Sequence, residues 1–186
     1  DVDELVLLPP EPGARVVVWG PNCPQLVAAY FGVLLARLVL VPLDPYATPE
    51  LLSRMVARTE AVLLISGLGT STVTPTLDLL SLPFDADRTY RGPRPRAEDT
   101  AEIVFTSGTT GLPKGVVLTH ANVVANVRSA HAALRPTRDF RLLSVLPLSH
   151  MFEQTAGLFL PLHVGASVHY ATSRQSPVIL KTLCRH

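Results

Sequence analysis

The ten residues Thr106-Ser-Gly-Thr-Thr-Gly-Leu-Pro-Lys-Gly115 gather four hydroxyls, three glycines and one lysine. Glycines let the backbone turn tightly, so that amide N–H groups converge on an anion. Hydroxyls add donors, and Lys114 adds a point charge for phosphate oxygens. Together they suit the β- and γ-phosphates of ATP. The string lies between two apolar runs, Ile103-Val-Phe105 and Val116-Val-Leu118, which read as strands. The expectation is an exposed loop at a sheet end, joining adjacent strands. A plain polar hairpin turn is the other reading. The common mononucleotide loop needs glycine just before lysine and Ser or Thr just after it. Here Pro113 and Gly115 occupy those places, which argues against an unrelated NTPase. A strand and not a helix starts at the lysine, so the loop must act through its hydroxyls, amides and Lys114.

This string resembles the signature phosphate loop of the adenylate-forming superfamily: acyl- and aryl-CoA synthetases, luciferases and the adenylation domains of peptide synthetases. Val116-Val117-Leu118-Thr119-His120 extends the resemblance. So does Leu146-Pro-Leu-Ser-His-Met-Phe-Glu153, which is most similar to the long-chain fatty acyl-CoA synthetases. The resemblance implies that Thr106, Ser107, Gly108, Thr109, Thr110, Gly111 and Lys114 hold the ATP phosphates. It places His150 beside the acyl carboxylate; the residue alone reads equally as a helix cap or a satisfied buried histidine. Glu153 is expected to pack or pair near the same helix start. The implied reaction is activation of a carboxylic acid, a fatty acid by the second motif, as acyl-adenylate. Transfer to the thiol of CoA follows. The implied co-reactants are ATP with Mg²⁺, and CoA. The family's acid for Mg²⁺, its acid for the ribose and its mobile lysine all come later than residue 186. The chain is therefore expected to carry one wall of an active site, with no certain catalytic residue of its own.

The elements that must position these groups read as an α/β fold, with mostly parallel sheets and helices on both faces. Arg15-Val-Val-Val-Trp19 is a β-branched strand. Asn22 is placed to cap a helix with Pro24 in its first turn. Leu38-Val-Leu-Val41 and Ala61-Val-Leu-Leu-Ile65 are further strands. Thr48-Pro49-Glu50 starts a helix whose inner stripe is Leu51, Leu52, Met55 and Val56. Short joins between strands and helices imply a parallel sheet. Thr119 caps a helix with the stripe Val123, Val127, Ala130 and Leu134. Leu142–Leu146 and Ala166–Tyr170 are strands, residues 150–162 are helical, and Ser176-Pro177 starts another helix. Three regions follow: 1–67 as a first βαβαβ unit, 68–99 as a surface connector, and 100–186 as the start of a second α/β unit. The connector carries Pro75, Pro83, Pro93 and Pro95, with Arg88, Arg91, Arg94 and Arg96 as a solvated face.

Composition narrows the partners. Sixteen basic against fifteen acidic residues leave a net charge of +1, which gives no footprint for nucleic acid or an anionic membrane. Apolar residues make up 47%, which excludes a disordered chain. The most apolar run, Leu26 to Leu43, is broken by Arg37 and Pro42, so no transmembrane segment is expected. Cys23 and Cys184 read as ordinary thiols of a cytoplasmic protein, and His120, His163 and His169 have no metal-ligand spacing. The first residue is Asp1 and the pattern breaks inside a repeating unit at His186, so a processed start and a truncated end are expected. With a mean hydropathy of +0.30, self-association burying the surface around residues 150–186 is expected. Other readings stay open at this point: an aryl- or amino-acid-activating enzyme, or an interaction module that retains the loop without turnover.

Overall fold

Alternation of side chains along one strand sets the first layer arrangement. In β1 (Arg15–Trp19) Val16 and Val18 pack with Leu26, Ala29, Tyr30 and Val33 of α1 (Pro24–Leu35). Val17 and Trp19 turn to the other face, onto Leu52, Met55 and Val56 of α2 (Pro49–Thr59). A strand buried on both faces by helices is what a parallel sheet requires. The computed structural model describes residues 10–71, 74–82, 90, 92–106, 113–171, 175–177 and 179.

Around β1 lie β2 (Val39–Leu43), β3 (Leu63–Ser66), β4 (Thr76–Asp78), β5 (Thr100–Thr106) and β6 (Lys114–Thr119). They form one six-stranded sheet in the order β4-β3-β1-β2-β5-β6. All neighbours are parallel except β5 and β6, an antiparallel pair at one edge. A second sheet holds two parallel strands, β7 (Arg141–Ser144) and β8 (Ser167–Tyr170). The mixed α/β architecture matches the expectation.

Several local expectations are corrected. Cys23, not Asn22, caps α1: its Sγ accepts the Leu26 N–H at 3.4 Å. That frees the Asn22 side chain for a longer reach. The 68–99 stretch carries β4 and a 3₁₀ turn at Leu79–Ser81 with Leu79 fully buried. A three-residue strand is too short to leave a period in the sequence. Arg94 and Arg96 are exposed as expected, while Arg88 and Arg91 lie outside the described residues. Asp99 braces the entry to β5. Its Oδ2 accepts the Arg96 N–H at 2.9 Å and meets the Arg37 guanidinium at 3.3 Å. That backbone bond, more than the arginine, holds its carboxyl below the usual range.

Thr119 caps α3 (His120–Leu134) as predicted, in a reciprocal box with Asn122. Its stripe is only partly covered: Val127 is buried, but Leu134 is 65% exposed. The helix expected over 150–162 starts at Met151 and is not continuous. It comprises α4 (Met151–Gln154), a π-helical turn (Thr155–Phe159) and α5 (Leu160–Val164). Pro161 explains the break. Its ring nitrogen cannot bond the carbonyl four residues back, and a π turn re-routes the ladder around that gap. Gly165 closes α5 at φ 75°, a left-handed backbone that suits glycine.

Candidate active-site rim

β1 to β5 run parallel, so their carboxyl ends share one rim of the sheet. In open α/β sheets that rim is where ligands bind. Thr106 ends β5 there and pairs directly with Lys114, the first residue of β6. The Thr106 Oγ1 donates to the Lys114 carbonyl at 3.5 Å. Lys114 is exposed. The structure thus brings together the two ends of the predicted phosphate loop. Ser107, Gly108, Thr109, Thr110 and Gly111 lie outside the described residues.

Two groups brace the base of the loop. Arg58, near the end of α2, donates from Nη1 to the Pro113 carbonyl at 2.8 Å. Its guanidinium carbon also stands 5.7 Å from the centre of the Phe105 ring. Gly115 lets that ring lie across the strand. A Cβ there would come within 3.1 Å of Ile103 Cγ2 and 3.2 Å of Phe105 Cε1. Arg58→Ala is expected to cost about 1 kcal/mol, one exposed hydrogen bond plus a solvent-exposed cation–π contact. Amide exchange at Lys114 and Gly115 should quicken with it. Unchanged exchange there would show that the brace is idle.

His150 stands at the same rim from the other sheet. It precedes α4 and makes no side-chain cap. Its half-exposed ring instead points Nε2 at Asp44 Oδ2, 3.5 Å away. Asp44 follows β2, and its backbone carbonyl accepts the Trp19 indole N–H at 3.1 Å. Asn22 completes the junction. Its Nδ2 donates to Ser144 Oγ at 3.2 Å and to the Leu146 carbonyl at 2.7 Å, while Leu148 N–H donates to its Oδ1 at 3.0 Å. The loop after β1 therefore clamps the segment that presents His150. Asn22→Ala should cost about 2 kcal/mol by urea denaturation, because three bonds are lost in a partly covered site. Asn22→Asp keeps only the acceptor and should fall between. Equal stability of all three proteins would contradict the clamp.

Sequence reading did not single out Asp44, Arg58 or the clamping role of Asn22. For Asp44 there was a signal: an acid just past a buried strand and just before Pro45. Arg58 and Asn22 act across 55 and 122 residues of sequence, which no local pattern reports.

Behind the rim, α1, β5, α3 and α5 enclose a half-open cavity of about 550 Å³. Phe31, Leu34, Val127 and Phe159 give it an apolar wall, and Glu102 lines it. Burial pushes the Glu102 carboxyl up to about 7, against a smaller downward pull from Gln154. Burial also raises the Tyr30 hydroxyl, helped by Glu102, and lowers the His120 imidazole against an opposing pull from Asp99. Glu153 is buried, as its expected packing near the helix start requires. Among the described residues no helix is long and apolar enough to cross a membrane.

Known proteins agree on the family and differ below it. Long chain acyl-CoA synthetase 6, peroxisomal, of Arabidopsis thaliana is 43% identical over 76 residues, covering 41% of this chain and 11% of its own length. Pyochelin synthetase PchE of Pseudomonas aeruginosa is 34% identical over 174 residues, covering 89% of this chain and 11% of its own. Among solved structures, the Bacillus subtilis O-succinylbenzoate coenzyme A synthetase in complex with AMP matches at TM-score 0.82 and 24% identity, over 94% of this chain and 47% of that one. The N-terminal subdomain of Klebsiella oxytoca NpsA matches at 0.79 and 23%, over 93% and 44%. At such identities the likeness shows the fold. The chain spans about a tenth of these curated relatives and under half of the solved chains. The profile of the AMP-binding enzyme family matches residues 5–186, nearly the full length over which strands, loop ends and rim have been traced, and the chain belongs to that family.

Proposed function

We propose that this chain forms the ATP-phosphate wall of a ligase that activates a carboxylic acid as acyl-adenylate. One carboxylate oxygen attacks the α-phosphorus, the bond to the β-phosphate oxygen breaks, and pyrophosphate leaves. Positioning and charge neutralisation carry such a step. The observation that supports the reading is the pairing of Thr106 with Lys114 at the carboxyl rim, with His150 on the same rim. Thr106, Ser107, Gly108, Thr109, Thr110, Gly111 and Lys114 take the phosphates, and His150 faces the acid. The described groups at the loop base suit anionic oxygens and not a cation. The Mg²⁺ that accompanies ATP takes its protein ligand from beyond residue 186. If phosphates alone are recognised here, inorganic tripolyphosphate should displace a fluorescent ATP analogue nearly as well as ATP, and adenosine should not. Displacement by adenosine but not by tripolyphosphate would reverse the assignment.

The acid is a fatty acid in this reading and the acceptor is CoA. Leu146-Pro-Leu-Ser-His-Met-Phe-Glu153 and the 43% identity with the long-chain synthetase support it. A second reading, an amino-acid- or aryl-activating enzyme, draws on the wider PchE match, 89% of the chain. Pyrophosphate exchange into ATP by the protein that carries these residues separates the two. Dependence on a long-chain acid supports the first, dependence on an aryl or amino acid the second. The 186-residue chain alone is expected to give no exchange with any acid.

Self-association belongs to the same proposal. Two parallel strands are too few for a stable sheet, and Phe152 is 71% and Leu162 50% exposed beside them. Light scattering at tens of micromolar should show a dimer or larger assembly. A monomer that binds no hydrophobic dye would contradict this.

A further inference from the structure

The last turn of α2 holds a basic residue, Arg58. A cation at that place ordinarily serves its own helix, whose final carbonyls carry the negative end of the dipole. Arg58 instead reaches across 55 residues of sequence, where its Nη1 donates to the Pro113 carbonyl at 2.8 Å. Its guanidinium carbon lies over the Phe105 ring, 5.7 Å from the centre. One contact is on each side of the loop base, where β5 and β6 pair through Thr106 and Lys114. A long side chain held at two points has already given up much of its rotamer freedom. Donors ordered in advance bind an anion at a smaller cost.

The charge of this ordered side chain is unanswered. The nearest acid in sequence, Glu60, is taken by Arg15 at 2.7 Å. Neither Arg58 nor Lys114 has an acidic partner within salt-bridge distance among the described residues. Both are exposed. A guanidinium has several N–H donors and Pro113 takes one, so the rest are open to a ligand. Two uncompensated cations thus stand at one loop base, on the rim where an open α/β sheet binds ligands. Lysine supplies a point charge, while arginine supplies a planar fork that matches phosphate oxygens. We propose that Arg58 is a second anion ligand of the rim, held ready by Pro113 and Phe105, and that it binds the same oligophosphate as Lys114. The proposal rests on the phosphate reading and adds to it a ligand from α2, outside the loop.

Tripolyphosphate titrated into the whole chain, followed by phosphorus NMR, tests this. Arg58→Gln keeps an amide donor for Pro113 and removes the charge; Arg58→Lys keeps the charge and loses the fork. Affinity should fall by at least about tenfold in Arg58→Gln, the scale of one charge-assisted hydrogen bond, and by less in Arg58→Lys. Amide exchange at Lys114 and Gly115 should stay as in the wild type in Arg58→Gln. A loss of affinity that comes with quickened exchange there would mean that Arg58 acts only as a brace, and would overturn the proposal. Affinity weakened by Lys114→Ala but equal in Arg58→Gln and the wild type would overturn this inference alone. No binding of tripolyphosphate by the wild type would overturn the phosphate reading and this inference with it.

Discussion

Glu102→Gln is expected to stabilise the folded chain by roughly 3 kcal/mol at about pH 8 and to change it little at about pH 4. The carboxyl moves from 4.5 to about 7 on folding, with burial the main cause. A raised acid binds its proton more tightly in the folded state. Its favourable contribution is therefore complete below about 4.5, is lost as pH rises toward 7, and stays lost above that. The glutamine carries no proton to lose, so the difference between the two proteins should grow across that window and then level off. Each pKa unit is worth about 1.4 kcal/mol, which sets the scale. Asp99 and Glu50, both held below their ordinary values, act with the opposite sign and cancel in the comparison. Urea unfolding of both proteins across this range measures it. An equal difference at both ends would mean that the carboxyl is ordinary in the folded chain.

Leu148→Ala should cost about 3 kcal/mol, within the range of buried leucine truncations. Leu148 is 1% exposed and packs in the core cluster of α1, β1 and Leu158. Its N–H is also the one that Asn22 receives. The residue is thus pinned by side chain and backbone, two positions before His150. Loss of the side chain leaves a cavity under that loop, so the His150–Asp44 contact at 3.5 Å should loosen as stability falls. Denaturant unfolding gives the first effect, and the NMR chemical shifts of the His150 ring protons at one fixed pH give the second. A loss below about 0.5 kcal/mol, as at surface sites, would show that Leu148 is not a core residue.

Every strand but β4, two of the helix caps and the loop ends were legible because each is written locally. A β-branched run marks β1 and an apolar run marks β3, and Thr48 and Thr119 precede helices with side chains that accept the Leu51 and Asn122 amides. The pairing of Thr106 with Lys114 followed from two apolar runs around a polar string. What was not legible depends on contacts distant in sequence. Asn22 looked like a cap because its type and place fit one, yet Cys23 takes that role and Asn22 reaches 122 residues on. The α3 stripe has helical spacing, but spacing cannot say how much of it a neighbour covers. The burial of Glu102 was also hidden. A single acid inside the apolar run Ala101 to Phe105 shows its cost only once the strand is known to be buried on both faces.

The central claim is that the loop between β5 and β6 holds the phosphates of ATP, with Lys114 as its charge. Phosphorus NMR of ATP titrated with the chain tests it most directly. The account predicts that the β and γ resonances shift and broaden more than the α resonance. It also predicts that Lys114→Ala weakens the effect by at least about tenfold in affinity, the scale of one charge-assisted hydrogen bond. Phosphate resonances left unchanged by the chain, or perturbed equally by Lys114→Ala, would contradict it.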